Sequence, residues 1–419
     1  MLKDQKIILL ILSFALLSIF GNKATLASSA DIYYPTNGWR TSTPDEQALN
    51  SAHLGDMSCL IGEANIAIDS LLIVRNGYLA YESYYPYYDY TDIHQLFSTT
   101  KSLTSILIGI ANRTGFITNL DERIVEVFSE RNFANLDDRK RNITIRHLLR
   151  MECGLAWPEW SVPYINSPID PADYDVIANY TDSSFDNWDF NPDNIVVQMA
   201  MSDDWIQFIL DQPMESAPGV KFNYNTGASH LLSVILQEKT VMTTVQFAKK
   251  YLFDPLNITE YSWGNDSLGY AIGGYGLWLT PRYMAKIGYL FLQNGTWGNQ
   301  RILTEEWIYK STKTHHTVNY RSGYGYQLWT DLPTNAYYAS GFGGQMIFMK
   351  PDQHLIIVVT ASEFNSNWPQ RLIHEYILRS IKSAPFIESE PSKSTIGYDF
   401  IISILSLSMV ALVLLKSSS

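Results

Sequence analysis

Strand signals stand at the two ends of a long, mostly helical middle, and no other feature restricts the fold as strongly. Near the start, Leu72-Ile73-Val74 and Tyr78 to Tyr85 flank Asn76-Gly77, a pair that accepts positive φ at both positions and so marks a two-residue hairpin. Near the end, Gln345 to Met349 and Leu355 to Thr360 read as two strands joined by a Pro-Asp turn. Between them Leu103, Ile106, Leu107 and Ile110 recur at i, i+3, i+4 and i+7, and Ile143 to Met151 and Pro281 to Gln293 carry similar helical spacing. These signals predict an α+β fold: an antiparallel sheet assembled from both chain ends, with a largely helical inserted subdomain. No repeat, low-complexity block or Pro/Ser-rich linker interrupts the stretch, so one catalytic-sized unit over residues 31–382 is expected.

Composition removes several classes. With 419 residues, 46% of them hydrophobic, the chain is too long and apolar to be disordered, and a net charge of −12 argues against a nucleic-acid partner. Two cysteines, Cys59 and Cys153, allow at most one disulfide and are as well explained as free thiols.

The ends differ from the middle. Residues 1–30 combine Lys3 and Lys6, an apolar run from Ile7 to Phe20 and small residues around Ala24 to Ala27, the layout of a signal peptide, with an uncleaved anchor as the alternative. Residues 396–415 are apolar except for Asp399 and are followed by Lys416; about 20 helical residues span the roughly 30 Å core of a bilayer. A single-pass membrane protein with an extracytoplasmic catalytic unit is therefore expected, with 383–395 as a stalk and a removed lipid-anchor signal as the runner-up. Asn-x-Ser/Thr triplets begin at Asn112, Asn142, Asn179, Asn257, Asn265 and Asn294, compatible with export and glycosylation.

The sharpest chemical pattern is Ser98-Thr99-Thr100-Lys101. Three residues apart on a helix, Ser98 and Lys101 share a face. The amine can then take the hydroxyl proton if burial lowers its affinity for protons. The apolar helix begins directly after Phe97, which puts Ser98 where unpaired backbone N–H groups face outward.

Two later motifs stand in order behind it: Phe222-Asn223-Tyr224-Asn225-Thr226-Gly227, and Ala339-Ser340-Gly341-Phe342-Gly343-Gly344-Gln345 leading into a strand. With these, the chain resembles the serine hydrolases of the class C β-lactamase and penicillin-binding-protein superfamily, over roughly Leu54 to Ile381. Ile143 to Leu149 and Gly273 to Pro281 are also similar to family segments. The resemblance implies a three-layer α/β/α, transpeptidase-like fold and a serine hydrolase with no cofactor and no metal. It makes Ser98 the acylated nucleophile, Lys101 its partner and Tyr224 the residue exchanging protons with leaving group and water. The oxyanion would be held by the backbone N–H groups of Ser98 and Phe342, while Gly341, Gly343 and Thr226 would border the substrate.

Two departures from the family pattern narrow the substrate. The third motif of antibiotic-degrading relatives begins with a lysine, or often a histidine, that contacts a substrate carboxylate; here Ala339 stands there. The second motif usually ends in asparagine, and Thr226 offers only a hydroxyl. Both changes resemble the 6-aminohexanoate-dimer hydrolase and esterase branch. Independently, Met151 to Val220 carries 13 acidic residues and no Lys or Arg; set against the whole-chain −12, the rest sums to +1. Placed around the cleft mouth, such a segment would favour a neutral or cationic ester or amide; a merely solvated acidic loop is the competing account.

No Gly-x-Ser-x-Gly elbow, His-Glu-x-x-His helix, phosphate loop or dinucleotide fingerprint occurs, and the histidines show no ligand spacing. Asp186, Asp189 and Asp193 do not match an EF-hand loop. Two further readings stay open. One is a catalytically silent binding protein of the same fold, and the other is a β-lactamase or DD-peptidase acting on cell-wall-like peptides.

Overall fold

Strands β1 (Ile68–Arg75) and β2 (Tyr78–Tyr84) pair antiparallel across Asn76-Gly77, whose φ angles of 53° and 78° are those the hairpin turn requires. The computed structural model describes residues 32–166, 189–364 and 366–382. Two short strands, β3 (His94–Gln95) and β4 (Tyr261–Trp263), flank β5 (Leu277–Leu279) in a small separate sheet. A two-stranded ribbon follows, β6 (Thr296–Trp297) and β7 (Gln300–Arg301). The main sheet is completed by β8 (His316–Thr317), β9 (Ser322–Tyr324), β10 (Trp329–Asp331), β11 (Ala336–Gly341), β12 (Gln345–Lys350) and β13 (Leu355–Ala361). Its order is β2-β1-β13-β12-β11-β10-β9-β8, so the first and last strands of the chain, β1 and β13, lie side by side near one edge.

Seven helices matter for the site: α1 (Ser51–Glu63), α2 (Thr99–Arg113), α3 (Ile145–Leu149), α4 (Ile195–Met201), α5 (Trp205–Asp211), α6 (Thr226–Thr240) and α7 (Pro281–Leu292). Period-two alternation along the central strands explains why both faces of the sheet are covered. Leu72, Val74, Ile356 and Val358 point to one face, where they join the core formed with α2 and α7. Leu71, Ile73, Ile357 and Val359 point to the other, against Leu54, Met57 and Ile61 of α1 and Leu372, Ile373 and Ile377 of the last helical segment. The result is the expected three-layer arrangement of β-lactamase and transpeptidase type.

Three details differ from the sequence reading. Helical structure predicted from Ile143 to Met151 is confined to α3, because Thr144 caps it by accepting from the His147 amide and Met151 sits at φ 58°. Strands β8 to β10 escape periodicity because each is only two or three residues long. Cys59 is exposed and Cys153 buried, both as free thiols, so the optional disulfide is not formed. The leader, stalk and membrane segment expected at 1–30, 383–395 and 396–415 lie outside the described residues. Among the described residues no helix is long and apolar enough to cross a membrane.

Candidate active site

Ser98 stands directly before the first residue of α2, with φ −64° and ψ −12°. The preceding residue, Phe97, has φ 44°, an uncommon conformation for a bulky side chain, and this sharp bend joins β3 to the helix. Its ring is held edge-on by Phe342 at 5.8 Å and Phe364 at 6.2 Å. One helical turn on, Lys101 Nζ lies 3.0 Å from Ser98 Oγ and donates to the Gly274 carbonyl at 2.9 Å. The i, i+3 spacing thus delivers the amine to the hydroxyl as the helix geometry dictates.

Lys101 is 1% exposed. Burial drives its pKa down from 10.5 to about 8, while the negative charge of Glu159 works the other way. A substantial neutral fraction near physiological pH is what a proton acceptor for Ser98 needs.

Tyr224 occupies the approach to α6, whose start is capped by Asn225 accepting from the Ala228 amide at 2.8 Å. Its ring centroid is 4.9 Å from Lys101 Nζ. It stacks on Trp160 at 4.9 Å and on Trp329 at 5.7 Å, and these two rings also stack on each other at 6.3 Å. Burial and then the Glu159 charge raise the Tyr224 pKa far above the ordinary phenol range, against a hydrogen bond with Ser98. Tyr224 therefore rests as a neutral phenol, fit to give a proton before it takes one. Ser98, Lys101 and Tyr224, which the sequence spreads over 127 positions, stand in mutual contact.

The third motif reaches the same place by a close backbone approach. A Cβ on Gly341, the last residue of β11, would lie 2.2 Å from the Leu96 carbonyl oxygen, so only glycine lets the strand end come this near the turn that leads to Ser98. Phe342 then opens a short turn in which Gly343 adopts φ 74°. Thr99 Oγ1 donates to the Gln345 carbonyl at 3.3 Å, tying α2 to the start of β12. Ser98 and Phe342, the two backbone donors the sequence points to, border one cavity.

That cavity has a volume of about 450 Å³. Ser98 borders it, and Phe97, Phe342, Tyr164, Phe190 and Tyr275 form much of its wall. Val196, Val197, Ala200 and Met201 of α4 supply the rest together with Thr226. Among the described residues the lining contains no Lys, Arg, Asp or Glu. Ala339 is buried in the core shared with α2, so the position where relatives carry a cation presents only a methyl group.

Two expectations change in detail. Thr226 does border the cavity, but its hydroxyl donates to Glu159 Oε1 at 2.6 Å, so that proton is not available to a substrate. The acidic segment does not line the cavity through its described residues. Glu159 is buried, Glu152 faces Arg150 at 3.2 Å, Asp204 faces Arg131 at 2.6 Å and Glu215 pairs with Lys221. Asp170, Asp173, Asp175, Asp182 and Asp186 lie outside the described residues.

Glu159 itself is a site residue that sequence reasoning counted only as one acid among 13. Its setting, Trp157-Pro158-Glu159-Trp160, is the available signal, since a carboxylate between two tryptophans is poorly placed for a solvated loop. Among the described residues no group of His, Cys, Asp and Glu could hold a metal ion.

A family model described as Beta-lactamase matches residues 57–380. No curated protein sequence matches the chain. Among solved structures, a candidate 6-aminohexanoate-dimer hydrolase from Bacillus anthracis superposes with a TM-score of 0.62 at 18% identity, covering 84% of this chain and 89% of its own. EstCE1, a hydrolase with promiscuous acyltransferase activity, gives 0.62 at 14% identity over 81% of this chain and 99% of that one. A family VIII carboxylesterase gives 0.59 at 14% identity over 81% and 98%. At such identities these likenesses speak for the fold.

Proposed function

The chain belongs to the Beta-lactamase family, and we propose that it is a serine hydrolase that cleaves an ester or amide of an apolar acyl group through a Ser98 acyl-enzyme. The single observation that carries this reading is a buried amine, its pKa lowered to about 8, 3.0 Å from a serine hydroxyl that borders an apolar cavity of about 450 Å³. Neutral Lys101 accepts the Ser98 proton as Oγ attacks the carbonyl carbon. The oxyanion that forms is met by the N–H groups of Ser98 and Phe342. Tyr224 gives its proton to the departing oxygen or nitrogen and regains one from Lys101, which leaves the acyl group on Ser98. Water then repeats the sequence in reverse roles and releases the acid.

The substrate is neutral or cationic, since neither the described residues of the cavity lining nor position 339 offers a positive charge to a carboxylate. That disfavours the β-lactam and cell-wall-peptide reading. The apolar segments at 1–30 and 396–415 support a catalytic unit held at the outer face of a membrane; protease protection of the intact chain in sealed vesicles tests this.

The activity is tested with p-nitrophenyl esters of increasing chain length, with nitrocefin alongside. Each methylene buried in the cavity should raise kcat/KM by about fourfold, from roughly 0.8 kcal/mol per CH₂, until the cavity is full. A fluorophosphonate should label the wild type and not Ser98→Ala. An intact protein that neither turns over esters nor labels would instead be a binding protein of this fold.

A further inference from the structure

Four donors converge on one buried carboxylate beside the reacting groups. Glu159 Oε2 accepts from Trp157 Nε1 at 2.7 Å and from the Thr226 amide at 2.7 Å, and Oε1 accepts from the Tyr164 hydroxyl at 2.7 Å and the Thr226 hydroxyl at 2.6 Å. Trp157 and the amide can only donate, and both hydroxyls are turned to donate as well, so every bond uses an oxygen lone pair. Such a carboxylate has exchanged its water shell for fixed protein donors.

Its partners come from three parts of the site. Thr226 begins α6, two residues after Tyr224; Tyr164 is a wall of the cavity; Trp157 is packed in the core. The loop between them is fastened from behind, because Asn194 Nδ2 donates to the carbonyls of Glu159 at 3.1 Å and Val162 at 2.9 Å. Along that loop Trp160 covers the Tyr224 ring.

We propose that Glu159 is a positioning residue that ties the Tyr224 segment to the acyl-pocket wall and, through its charge, sets the protonation balance of the Lys101–Tyr224 pair. This rests on the serine-hydrolase reading given above. The titratable groups facing Lys101 are Tyr224 and Glu159 itself. Around the carboxylate stand Tyr164, Tyr275 and Tyr324, all raised by burial first and by its charge among the further causes. Glu159 holds protons on Lys101 and on Tyr224 alike. It therefore keeps the phenol a donor, and part of the amine remains protonated.

Two substitutions separate tie from charge. Glu159→Gln keeps the length of the arm and can keep four bonds, with its NH₂ facing the Tyr164 and Thr226 hydroxyls, which would turn to accept. Glu159→Asp keeps the charge and shortens the arm. With p-nitrophenyl butyrate, E159Q should shift the acid limb of the kcat/KM profile to lower pH by about half a unit or more. E159D should leave that limb in place and lower kcat by about tenfold. A role in folding alone would lower activity or melting temperature without moving the limb. An E159Q limb coincident with wild type overturns the charge assignment, and an E159D enzyme with full kcat overturns the tie. If E159Q does not fold, E159D decides alone: an acid limb that moves there overturns the proposal. A wild type with no Ser98-dependent turnover sinks the hydrolase reading instead, which keeps the two failures distinct.

Discussion

The pH dependence of acylation tests the chemistry most directly, because it follows from one buried amine. Lys101 titrates at about 8 in place of 10.5. At pH 7 about 9% of the amine is then neutral, against about 0.03% for an ordinary lysine, a gain of roughly 300-fold in competent base. If neutral Lys101 takes the Ser98 proton, kcat/KM for an uncharged ester rises about ninefold from pH 6 to 7, about fivefold from 7 to 8 and less than about twofold from 8 to 9. The assay is initial-rate hydrolysis of p-nitrophenyl butyrate at fixed ionic strength, supported by the labelling rate of Ser98 with a neutral phosphonate. A flat profile between pH 6 and 9, or a limb that keeps climbing beyond pH 10, refutes the assignment. The same burial has a stability cost of opposite use. Between pH 8 and 10.5 the unfolded chain holds the lysine proton more tightly than the folded one, so stability rises with pH through that window. Below pH 8 the cost is complete and amounts to about 3 kcal/mol. Lys101→Met should therefore lose turnover yet unfold at higher denaturant at pH 7; equal or lower stability would show that the amine is better solvated than its burial implies.

Tyr224→Phe should lower kcat by on the order of 10²-fold while circular dichroism and the melting temperature stay near wild type, since the ring keeps its stacking on Trp160 and Trp329. Normal turnover would remove the phenol from the proton path. Ala200→Phe, in the α4 wall of the cavity, should shift the preferred acyl chain of a p-nitrophenyl ester series to shorter lengths and leave the acetate rate within about twofold. An unchanged length profile would place the acyl group elsewhere.

What the sequence made legible follows the range over which each contact is determined. Ser98 and Lys101 meet because a helix places i and i+3 together, so their spacing alone carried the geometry. The hairpin at Asn76-Gly77 is equally local, and the unbroken apolar runs of β1 and β13, whose side chains point alternately to either face, fit a sheet covered on both faces. Tyr224 was reachable only through the order of motifs, since 126 positions separate it from Ser98 and nothing in its neighbourhood encodes the distance. Of the cavity lining, Ser98, Thr226 and Phe342 were reachable through the motifs, and the α4 wall was not legible at all. Val196, Val197, Ala200 and Met201 form an ordinary apolar helix face, and only the path of the chain decides that this face borders the cavity beside Ser98. Glu159 escaped for the same reason: its four donors are gathered by a loop folded on α6, and a charge count treats it as one more solvated acid.

That count also conflates two effects on charged substrates which experiment can pull apart. A net charge of −12 produces a long-range field that slows the arrival of anions and is screened by salt over about 8 Å at physiological ionic strength. The absent cation at Ala339 is a local deficit: a carboxylate seated there meets a buried methyl group in an apolar surround, and salt does not relieve desolvation. For matched cationic and anionic esters, the ratio of kcat/KM should exceed one at low salt and fall as salt is added, yet level off above one. The slope measures the field and the plateau measures the missing anchor. A ratio that falls all the way to one would leave position 339 with no part in selection, and a ratio indifferent to salt would mean that the acidic segment is neutralised by its own partners, as Arg131 does for Asp204 and Lys221 for Glu215.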